Sequence, residues 1–258
     1  MKTPLSSECA LCDGTGWRPV EKEGLRAVEP CSCQTARHDP DWYMERARVP
    51  RGFWTKDFDH FYDLGEPTLE FALLKARGFV DNYPLIDKGI LFLGPPGVGK
   101  THLTVAIIKH LILDKGVESL FCSYQELLRQ IRDSYNPVSL STEAEVLRPV
   151  LETEVVAIDD LGSERISDWV EDTVTHILNH RYNHKKITLL TTNLPDNTEN
   201  VRERSPSGKY AVGDTFTQRI GQRVRSRLYE MCETIQITAK DFRQEVKVHQ
   251  QRRGGRIA

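Results

Sequence analysis

The sequence predicts an α/β protein in which a five-stranded parallel sheet lies between helices, preceded by a small cysteine-rich module. Three observations lead to this fold class. Short apolar runs alternate with helical stretches from residue 89 onward, which is typical of a parallel sheet covered on both faces. A glycine-rich turn directly follows the first of these runs. Four of the six cysteines lie within the first 33 residues, ahead of the predicted sheet.

The elements are predicted in the following order along the chain. A short helix over residues 42–48 is stopped by Pro50, and an aromatic segment over residues 51–66 is expected to pack on the domain that follows. An amphipathic helix comes next, over residues 68–81. Strands are then predicted at residues 89–93, 117–122, 154–158, 187–192 and 234–237. Helices are predicted among them at residues 100–114, 124–133, 168–184 and 214–231, with a long polar loop over residues 196–213.

Residues 94–101 carry the phosphate-binding sequence Gly-x-x-x-x-Gly-Lys-Thr. The glycines allow a tight loop whose backbone N–H groups point at phosphate oxygens, and the next helix adds its N-terminal dipole. Lys100 is expected to reach the β- and γ-phosphates, and the Thr101 hydroxyl to ligate Mg²⁺. An ordinary Gly/Pro turn is disfavoured, because a strand precedes the motif and a helix follows it. The candidate residues for a nucleoside triphosphate are Gly94, Pro95, Pro96, Gly97, Val98, Gly99, Lys100, Thr101 and His102.

Two further strands end in polar residues that would complete this site. Asp159 and Asp160 follow a buried apolar run, and ligands collect at the carboxyl ends of strands in such sheets. Asp159 is expected to hold the magnesium through water, and Asp160 to orient or polarise the attacking water. Asn193 follows the next strand and could hydrogen-bond the γ-phosphate or that water. Helix capping by the aspartates and turn formation by Asn193 are the alternatives.

Arginines are dense between residues 218 and 228. Arg219, Arg223 and Arg227 recur at every fourth position, which would place them on one face of the predicted helix. A solvated basic face is one interpretation. The other is an arginine finger that reaches the γ-phosphate held by a neighbouring subunit, since guanidinium groups stabilise the charge of phosphoryl transfer.

The N-terminal cysteines form a Cys-x2-Cys pair, Cys9 and Cys12, and a later Cys-x-Cys pair, Cys31 and Cys33. In a reducing compartment such a cluster indicates a metal site before disulfides, and four thiolates suit tetrahedral Zn²⁺. The segment is too small for a core, so zinc would supply its folding free energy, on the order of 10 kcal/mol or more. Unbound thiols and an iron–sulfur cluster are the alternatives. Two further cysteines in apolar contexts are expected in the core: Cys122 and Cys232.

Composition sets the remaining bounds. The chain has 258 residues, with 28% charged and 39% hydrophobic residues, as in soluble globular proteins. Its formal net charge of −2 gives no general attraction to nucleic acid. It lacks an apolar run of about 18 residues and the apolar stretch of a signal peptide, so no membrane association and a cytoplasmic location are expected. The predicted units are a cysteine module (1–40), an aromatic linker (41–66), a nucleotide-binding domain (67–245) and a basic tail (246–258).

Together these motifs resemble the AAA+ ATPases, and within them the helicase loaders of the DnaC/DnaI type and their relative IstB. The resemblance rests on residues 94–101, 157–162, 191–194 and 226–228, with residues 241–243 downstream. The N-terminal Cys-x2-Cys-Asp-Gly-Thr-Gly-Trp is also similar to loaders, which often carry a small zinc module there, whereas IstB-type proteins usually lack it. The implied fold is an AAA+ P-loop NTPase with a zinc-ribbon-like module.

The resemblance also implies functions for single residues. Asp159 is then the metal residue of the Walker B motif, and Asn193 senses the γ-phosphate of ATP. Arg227 is the first candidate for the arginine finger, and Arg223 is the second. Asp160 stands where many AAA+ enzymes carry the longer Glu, so slow hydrolysis is expected.

The same resemblance implies the partners. A protein of this type docks on a replicative DNA helicase hexamer through its zinc module, forms a homo-oligomer through its ATPase domain, and binds single-stranded DNA in replication initiation. The DNA-binding candidates are Tyr124, Arg129 and Arg132, because a base can stack on an aromatic ring while arginine contacts phosphate. An IstB-like transposition helper that acts on duplex DNA, and a nucleotide-gated adaptor without significant turnover, are the alternatives.

Overall fold

The computed structural model describes residues 9–13, 15, 17–22, 25–31, 39–136, 141–165, 167–196, 202–204, 210–212 and 215–242. Cys33, Arg243 and the predicted basic tail lie outside these residues. Among the described helices, none has the length and apolar character needed to cross a membrane.

A five-stranded parallel sheet forms the centre of the protein, as predicted. In chain order the strands are β1 (Trp17–Lys22), β2 (Leu25–Pro30), β3 (Gly89–Leu93), β4 (Ser119–Ser123), β5 (Val155–Asp159), β6 (Ile187–Thr192), β7 (Arg202–Arg204), β8 (Tyr210–Val212) and β9 (Cys232–Gln236). The central sheet has the order β4-β5-β6-β3-β9, and all its neighbouring strands are parallel. The predicted strands are thus confirmed, with small shifts at their ends.

Helices cover both faces of this sheet. In chain order they are α1 (Pro40–Arg46), α2 (Pro67–Asn82), α3 (Lys100–Lys115), α4 (Tyr124–Ser134), α5 (Glu143–Glu152), α6 (Asp168–Asn183), α7 (Phe216–Ile220) and α8 (Gln222–Met231). Alternate strand residues face opposite layers, as the two-residue period of a strand requires. Ile90 and Phe92 join the core beneath α2 and α3, whereas Leu91 and Leu93 join the core beneath α4 to α8.

Helix α5 was not predicted from the sequence. It begins at a capping box in which the Glu145 N–H donates to the Thr142 hydroxyl and the Thr142 N–H donates to the Glu145 carboxylate. Such a box satisfies backbone donors that the first helical turn leaves without partners. The Thr-x-x-Glu spacing was therefore a usable signal in the sequence.

The prediction of one helix over residues 214–231 is wrong. Gly221 separates α7 from α8 and has φ +84° and ψ 153°, far from helical values. Arg219 therefore lies on a different helix from Arg223 and Arg227, and the three do not share one helix face. The predicted polar loop over residues 196–213 also needs correction, because β7 and β8 pair antiparallel within it.

The aromatic segment packs on the sheet domain, as predicted. Phe58 is buried in the same core cluster as the α3 residues, and so are Met44, Ala47 and Val49 just before it. The backbone N–H of Phe121 in β4 donates to the Ala47 carbonyl oxygen at 2.7 Å. Residues 44–58 are thus part of the same core as the central sheet.

Candidate functional site

The predicted site residues meet at the carboxyl edge of the sheet. Residues 94–99 join β3 to α3, Asp159 ends β5, and Asn193 directly follows β6. Residues 96–99, Asp159 and Asn193 line a cavity of about 430 Å³ together with Lys100 and Thr101. Parallel strands bring these distant residues together because all their carboxyl ends lie at one edge.

The phosphate loop has the conformation that its glycines permit. Gly99 directly precedes α3 and has φ +97°, and a Cβ there would come within 2.6 Å of the Phe61 ring. Lys100 is 5% exposed, and its Nζ donates to the carbonyl oxygens of Gly94 and Pro95 at 2.8 and 2.7 Å. A third bond goes to Asn193 Oδ1 at 2.7 Å. The lysine is thereby held over the loop in which phosphates would sit.

Asp159 is bound by two hydroxyls. The Thr101 hydroxyl donates to Asp159 Oδ1 at 2.9 Å, and the Thr191 hydroxyl donates to the same oxygen at 2.6 Å. Burial raises the pKa of the Asp159 carboxyl, as does the charge of Asp160, although both hydroxyls and Lys100 oppose the shift. Hydroxyl and carboxylate oxygens are ligands that Mg²⁺ prefers, so this donor set fits the predicted metal.

Asn193 links the Lys100 ammonium group to the Asp160 carboxylate. Its Oδ1 accepts from Lys100, and its Nδ2 donates to Asp160 Oδ1 at 2.5 Å. Asp160 has φ +61°, and its backbone N–H donates to the Thr191 hydroxyl at 2.9 Å. Thr191 thus orients both aspartates. Sequence reasoning missed its function, although its place in β6, two residues before Asn193, was an available signal.

Two segments outside the predicted site residues form much of the rest of the cavity. Residues 53–62, here called the aromatic wall, contribute Phe53, Lys56, Phe61 and Tyr62. Residues 239–242 after β9 contribute Ala239, Lys240 and Phe242. The backbone N–H of Phe242 donates to the Gly97 carbonyl oxygen at 3.2 Å, which ties this segment to the phosphate loop. No spacing in the sequence marks either segment as part of the cavity.

His102 lies where the loop, α3 and the aromatic wall meet. Its ring is edge-on to Phe61, with centroids 5.2 Å apart, and its Nε2 is 2.8 Å from the Asp57 carbonyl oxygen. Since a carbonyl oxygen only accepts, Nε2 carries the proton. Burial lowers the pKa of His102, so the ring is neutral at physiological pH.

Neither arginine-finger candidate is among the described residues that line this cavity. Arg227 is held within its own chain: its Nε donates to Asn179 Oδ1 at 3.2 Å and its Nη1 to Glu230 Oε2 at 2.8 Å. Its guanidinium also lies 4.3 Å from the centroid of the Tyr182 ring. Arg223, one turn earlier, is exposed. The two arginines line a separate concavity that includes Asn179.

The expectation that Tyr124 stacks on a base is wrong for this structure. Its ring is 2% exposed and packs in the core beneath α4, where apolar contacts stabilise it better than solvent would. Arg129 is exposed and paired with Glu126 at 2.6 Å and Asp133 at 3.2 Å.

Arg132 has a different environment. Its guanidinium lies 5.0 Å from the centroid of the Trp169 ring. The Trp169 ring packs edge-on against Tyr135, which is 51% exposed. This aromatic pair beside an arginine, exposed at Tyr135 and partly buried at Trp169, was missed because it joins the end of α4 to the start of α6.

Three of the four N-terminal cysteines converge. The sulfur atoms of Cys9, Cys12 and Cys31 all lie within 4.8 Å of one another, and those of Cys9 and Cys31 are 3.8 Å apart. Tetrahedral zinc with Zn–S bonds of about 2.3 Å would place its sulfur ligands about 3.8 Å apart. The three thiols therefore fit a zinc ion, while Cys33 lies outside the described residues. Cys232 is buried as predicted, and Cys122 is partly buried.

Comparisons with known proteins agree with this geometry. The chain is 26% identical over 244 residues to the phage-like element PBSX protein XkdC of Bacillus subtilis (strain 168), covering 90% of this chain and 82% of XkdC. It is 27% identical over 135 residues to the replicative helicase loader DnaC of Escherichia coli (strain K12), covering 52% and 54% of the two chains.

Structural and family comparisons give the same result. The crystal structure of a DnaC helicase loader superimposes with a TM-score of 0.60 and 34% identity, covering 73% of this chain and 99% of that one. This similarity confirms the AAA+ P-loop fold. The family described as IstB-like ATP binding protein matches residues 33–249. Because this match spans most of its length, the chain belongs to the IstB-like ATP-binding protein family.

Proposed function

We propose that this protein is an ATPase that loads a replicative DNA helicase onto single-stranded DNA. The observation that carries the proposal is the hydrogen-bonded chain from Lys100 through Asn193 to Asp160 at the end of the phosphate loop. It joins a phosphate-binding cation to a carboxylate placed to orient water. The similarity to a DnaC helicase loader over most of the chain directs this chemistry toward helicase loading.

The site residues would have separate roles in ATP hydrolysis. Lys100 and the loop N–H groups would bind the phosphates, and Asn193 would contact the γ-phosphate or the attacking water. Asp160 would polarise that water, whereas Thr101 and Asp159 would hold Mg²⁺, which supplies positive charge to the phosphates when bound. Because Asp160 is shorter than glutamate, we expect slow turnover, as suits a switch.

An arginine from a neighbouring copy would complete the site. Arg223 now replaces Arg227 as the first candidate, because Arg227 is held by Asn179 and Glu230 while Arg223 is exposed. An arginine finger must extend away from its own subunit to reach a phosphate that is bound by the next one. This assignment predicts an active homo-oligomer.

Single-stranded DNA would bind beside Arg132, Tyr135 and Trp169. The exposed Tyr135 ring, with the partly buried Trp169 beside it, can stack on bases, and Arg132 can contact phosphate. Arg129 contributes less, because its guanidinium is already neutralised by two carboxylates. The zinc module would dock on the helicase, and its exposed apolar side chains suit a protein partner: Leu11, Trp17 and Val28.

Co-purification tests helicase loading directly. The full chain, immobilised on resin, is incubated with a purified replicative helicase in ATP and in ADP. We expect the helicase to be retained with ATP, and less of it with ADP or with Lys100→Ala. Retention in neither nucleotide would contradict the proposal.

Mixing two inactive variants tests the arginine finger. Lys100→Ala has a defective site but an intact finger, and Arg223→Ala has the reverse. If Arg223 acts on the next subunit, phosphate release returns when the two variants are mixed. Arg227→Ala serves as the matched control, and we expect this variant to release phosphate without being mixed with another. If the unaltered protein releases phosphate and Lys100→Ala does so equally, this site is not the one that hydrolyses ATP.

Competition between oligonucleotides separates loading from transposition. A loader binds single strands more tightly than duplex, and Tyr135→Ala should weaken this binding about tenfold, given the free energy of base stacking. The buried Tyr124→Phe is the control and should leave DNA affinity unchanged. Preference for duplex DNA would favour the IstB-like transposition helper.

A further inference from the structure

A carboxylate outside the phosphate loop joins the aromatic wall to α3. Asp57 precedes the short 3-10 helix Phe58–His60, and only 18% of its side chain is exposed. Lys109 Nζ donates to Asp57 Oδ2 at 2.9 Å, and His110 Nε2 lies 3.1 Å from Oδ1. The Asp57 carbonyl oxygen accepts from His102 at 2.8 Å. One residue of the wall is thus bound to α3 both near its start and about two turns further along.

Two ring contacts strengthen this connection. The Phe58 ring stacks on His110, with centroids 4.9 Å apart and planes 11° from parallel. The Phe61 ring packs edge-on against His102 and directly on Gly99. These contacts hold residues 57–61 on α3 beside the phosphate loop.

We propose that Asp57 is a positioning residue of the nucleotide site, which holds the aromatic wall against α3 and thereby sets the affinity for the nucleoside part of the nucleotide. This inference rests on the proposed function, because it requires a nucleotide in the cavity. The phosphates would contact the loop, whereas the nucleoside extends toward the wall. A wall freed from α3 must be ordered again when nucleotide binds, and that cost weakens binding. Inorganic tripolyphosphate needs only the loop, so its affinity should hardly change.

His110 makes this connection dependent on pH. Its Nε2 faces Asp57, and its Nδ1 lies 2.6 Å from Asp114 Oδ2. Both nitrogens can donate to carboxylates only when the ring is protonated. Burial opposes this charge, but the hydrogen bonds to Asp114 and Asp57 raise the pKa of His110 overall. The connection is therefore complete below that raised pKa and weakens as the pH rises through it.

Other charged groups surround this pair on each packed element. Lys109 neighbours His110 on α3, and Arg77 of α2 lies 5.2 Å from the Phe58 ring and pairs with Asp59. Lys56 and His60 lie on the segment itself, near His102. Lys109 also donates to Asp57, so part of the connection should persist after His110 loses its proton.

Calorimetric titration of the full chain with Mg²⁺–ATP and with tripolyphosphate tests the inference. We expect Asp57→Asn to weaken ATP binding about tenfold and tripolyphosphate binding by less than about twofold, since charge-assisted bonds are lost only at the wall. The matched control is Asp81→Asn, which removes the same charge from an exposed position on α2, outside the wall and the cavity lining. It should change neither affinity.

The pH profile supplies a second readout, and it remains available if Asp57→Asn does not fold. ATP affinity of the unaltered protein should fall more steeply than that of His110→Gln as the pH rises through the raised pKa of His110. Equal losses for both ligands in Asp57→Asn, unchanged ATP affinity, or identical pH profiles would overturn the inference. If the unaltered protein binds tripolyphosphate but not ATP, the proposed function itself fails, which is a separate outcome.

Discussion

Arg181 in α6 is completely buried although it carries a charge. Its Nε donates to the Thr188 hydroxyl at 2.9 Å, and its Nη1 donates to the carbonyl oxygens of Val150 and Thr153 at 2.8 and 2.9 Å. Nη2 donates to the Ile187 carbonyl oxygen at 2.5 Å. Burial lowers the pKa of Arg181 to about 10, so it stays charged at neutral pH. One guanidinium thus satisfies the carbonyls that end α5 and begin β6.

Arg181→Met should lower the free energy of unfolding by about 3 kcal/mol or more, because several buried acceptors lose their donor at once. Urea denaturation followed by circular dichroism measures this. Arg148→Met, at an exposed position on α5, is the control and should cost less than about 0.5 kcal/mol. An equally small decrease in the free energy of unfolding for Arg181→Met would mean that water or other donors replace the hydrogen bonds of Arg181.

Sequence reasoning at this scale succeeded for residues within motifs. Lys100, Asp159 and Asn193 come together as predicted, because each follows a strand whose carboxyl end is fixed by the parallel sheet. Thr191 and Arg181 were not predicted, because their partners depend on side-chain contacts between neighbouring elements. Tyr124 was wrongly placed on the surface for the same reason.

At the scale of elements, Gly221 decides how the arginine-rich region folds. It ends α7 and precedes α8 with φ +84°, and a Cβ there would lie 2.4 Å from Glu171 Oε1. The chain therefore turns between the two helices, and Arg223 lies in the first turn of a new helix. The spacing of the arginines could not reveal this turn, because the four-residue repeat continues through Gly221 although the helix is interrupted there.

Gly221→Ala should lower the free energy of unfolding by about 1–3 kcal/mol, because alanine is strained at this φ and ψ. Thermal unfolding by calorimetry provides the measurement. Gly52→Ala is the control, since a Cβ there meets no atom within 4 Å. If the two variants have equal stability, α7 and α8 can re-form without the turn that Gly221 provides.

At the scale of the whole molecule, the cysteine module and the sheet domain are stabilised differently. The sheet buries two apolar layers, whereas the hairpin of β1 and β2 leaves Trp17 and Val28 about half exposed or more. We therefore expect the folding of this segment to depend on a metal.

Removal of zinc by a strong chelator should unfold the hairpin and leave the sheet domain folded. The purified protein should release about one equivalent of zinc, and amide hydrogens of residues 17–31 should then exchange faster. ATP affinity should change by less than about twofold, because no described ligand of the zinc site lines the nucleotide cavity. Cys122→Ser should retain the metal and Cys31→Ser should lose it. Less than about half an equivalent in the unaltered protein would contradict a zinc site.

The sequence by itself determined the α/β class, the five strands, the phosphate loop and the family, because periodicity and motif spacing are local properties of the chain. The tertiary structure decided the rest: the aromatic wall of the cavity, the hydroxyls around Asp159, the aromatic rings beside Arg132 and the connection through Asp57. These features join residues far apart in the chain. Their contacts depend on side-chain packing and strand register, which the local sequence pattern does not specify.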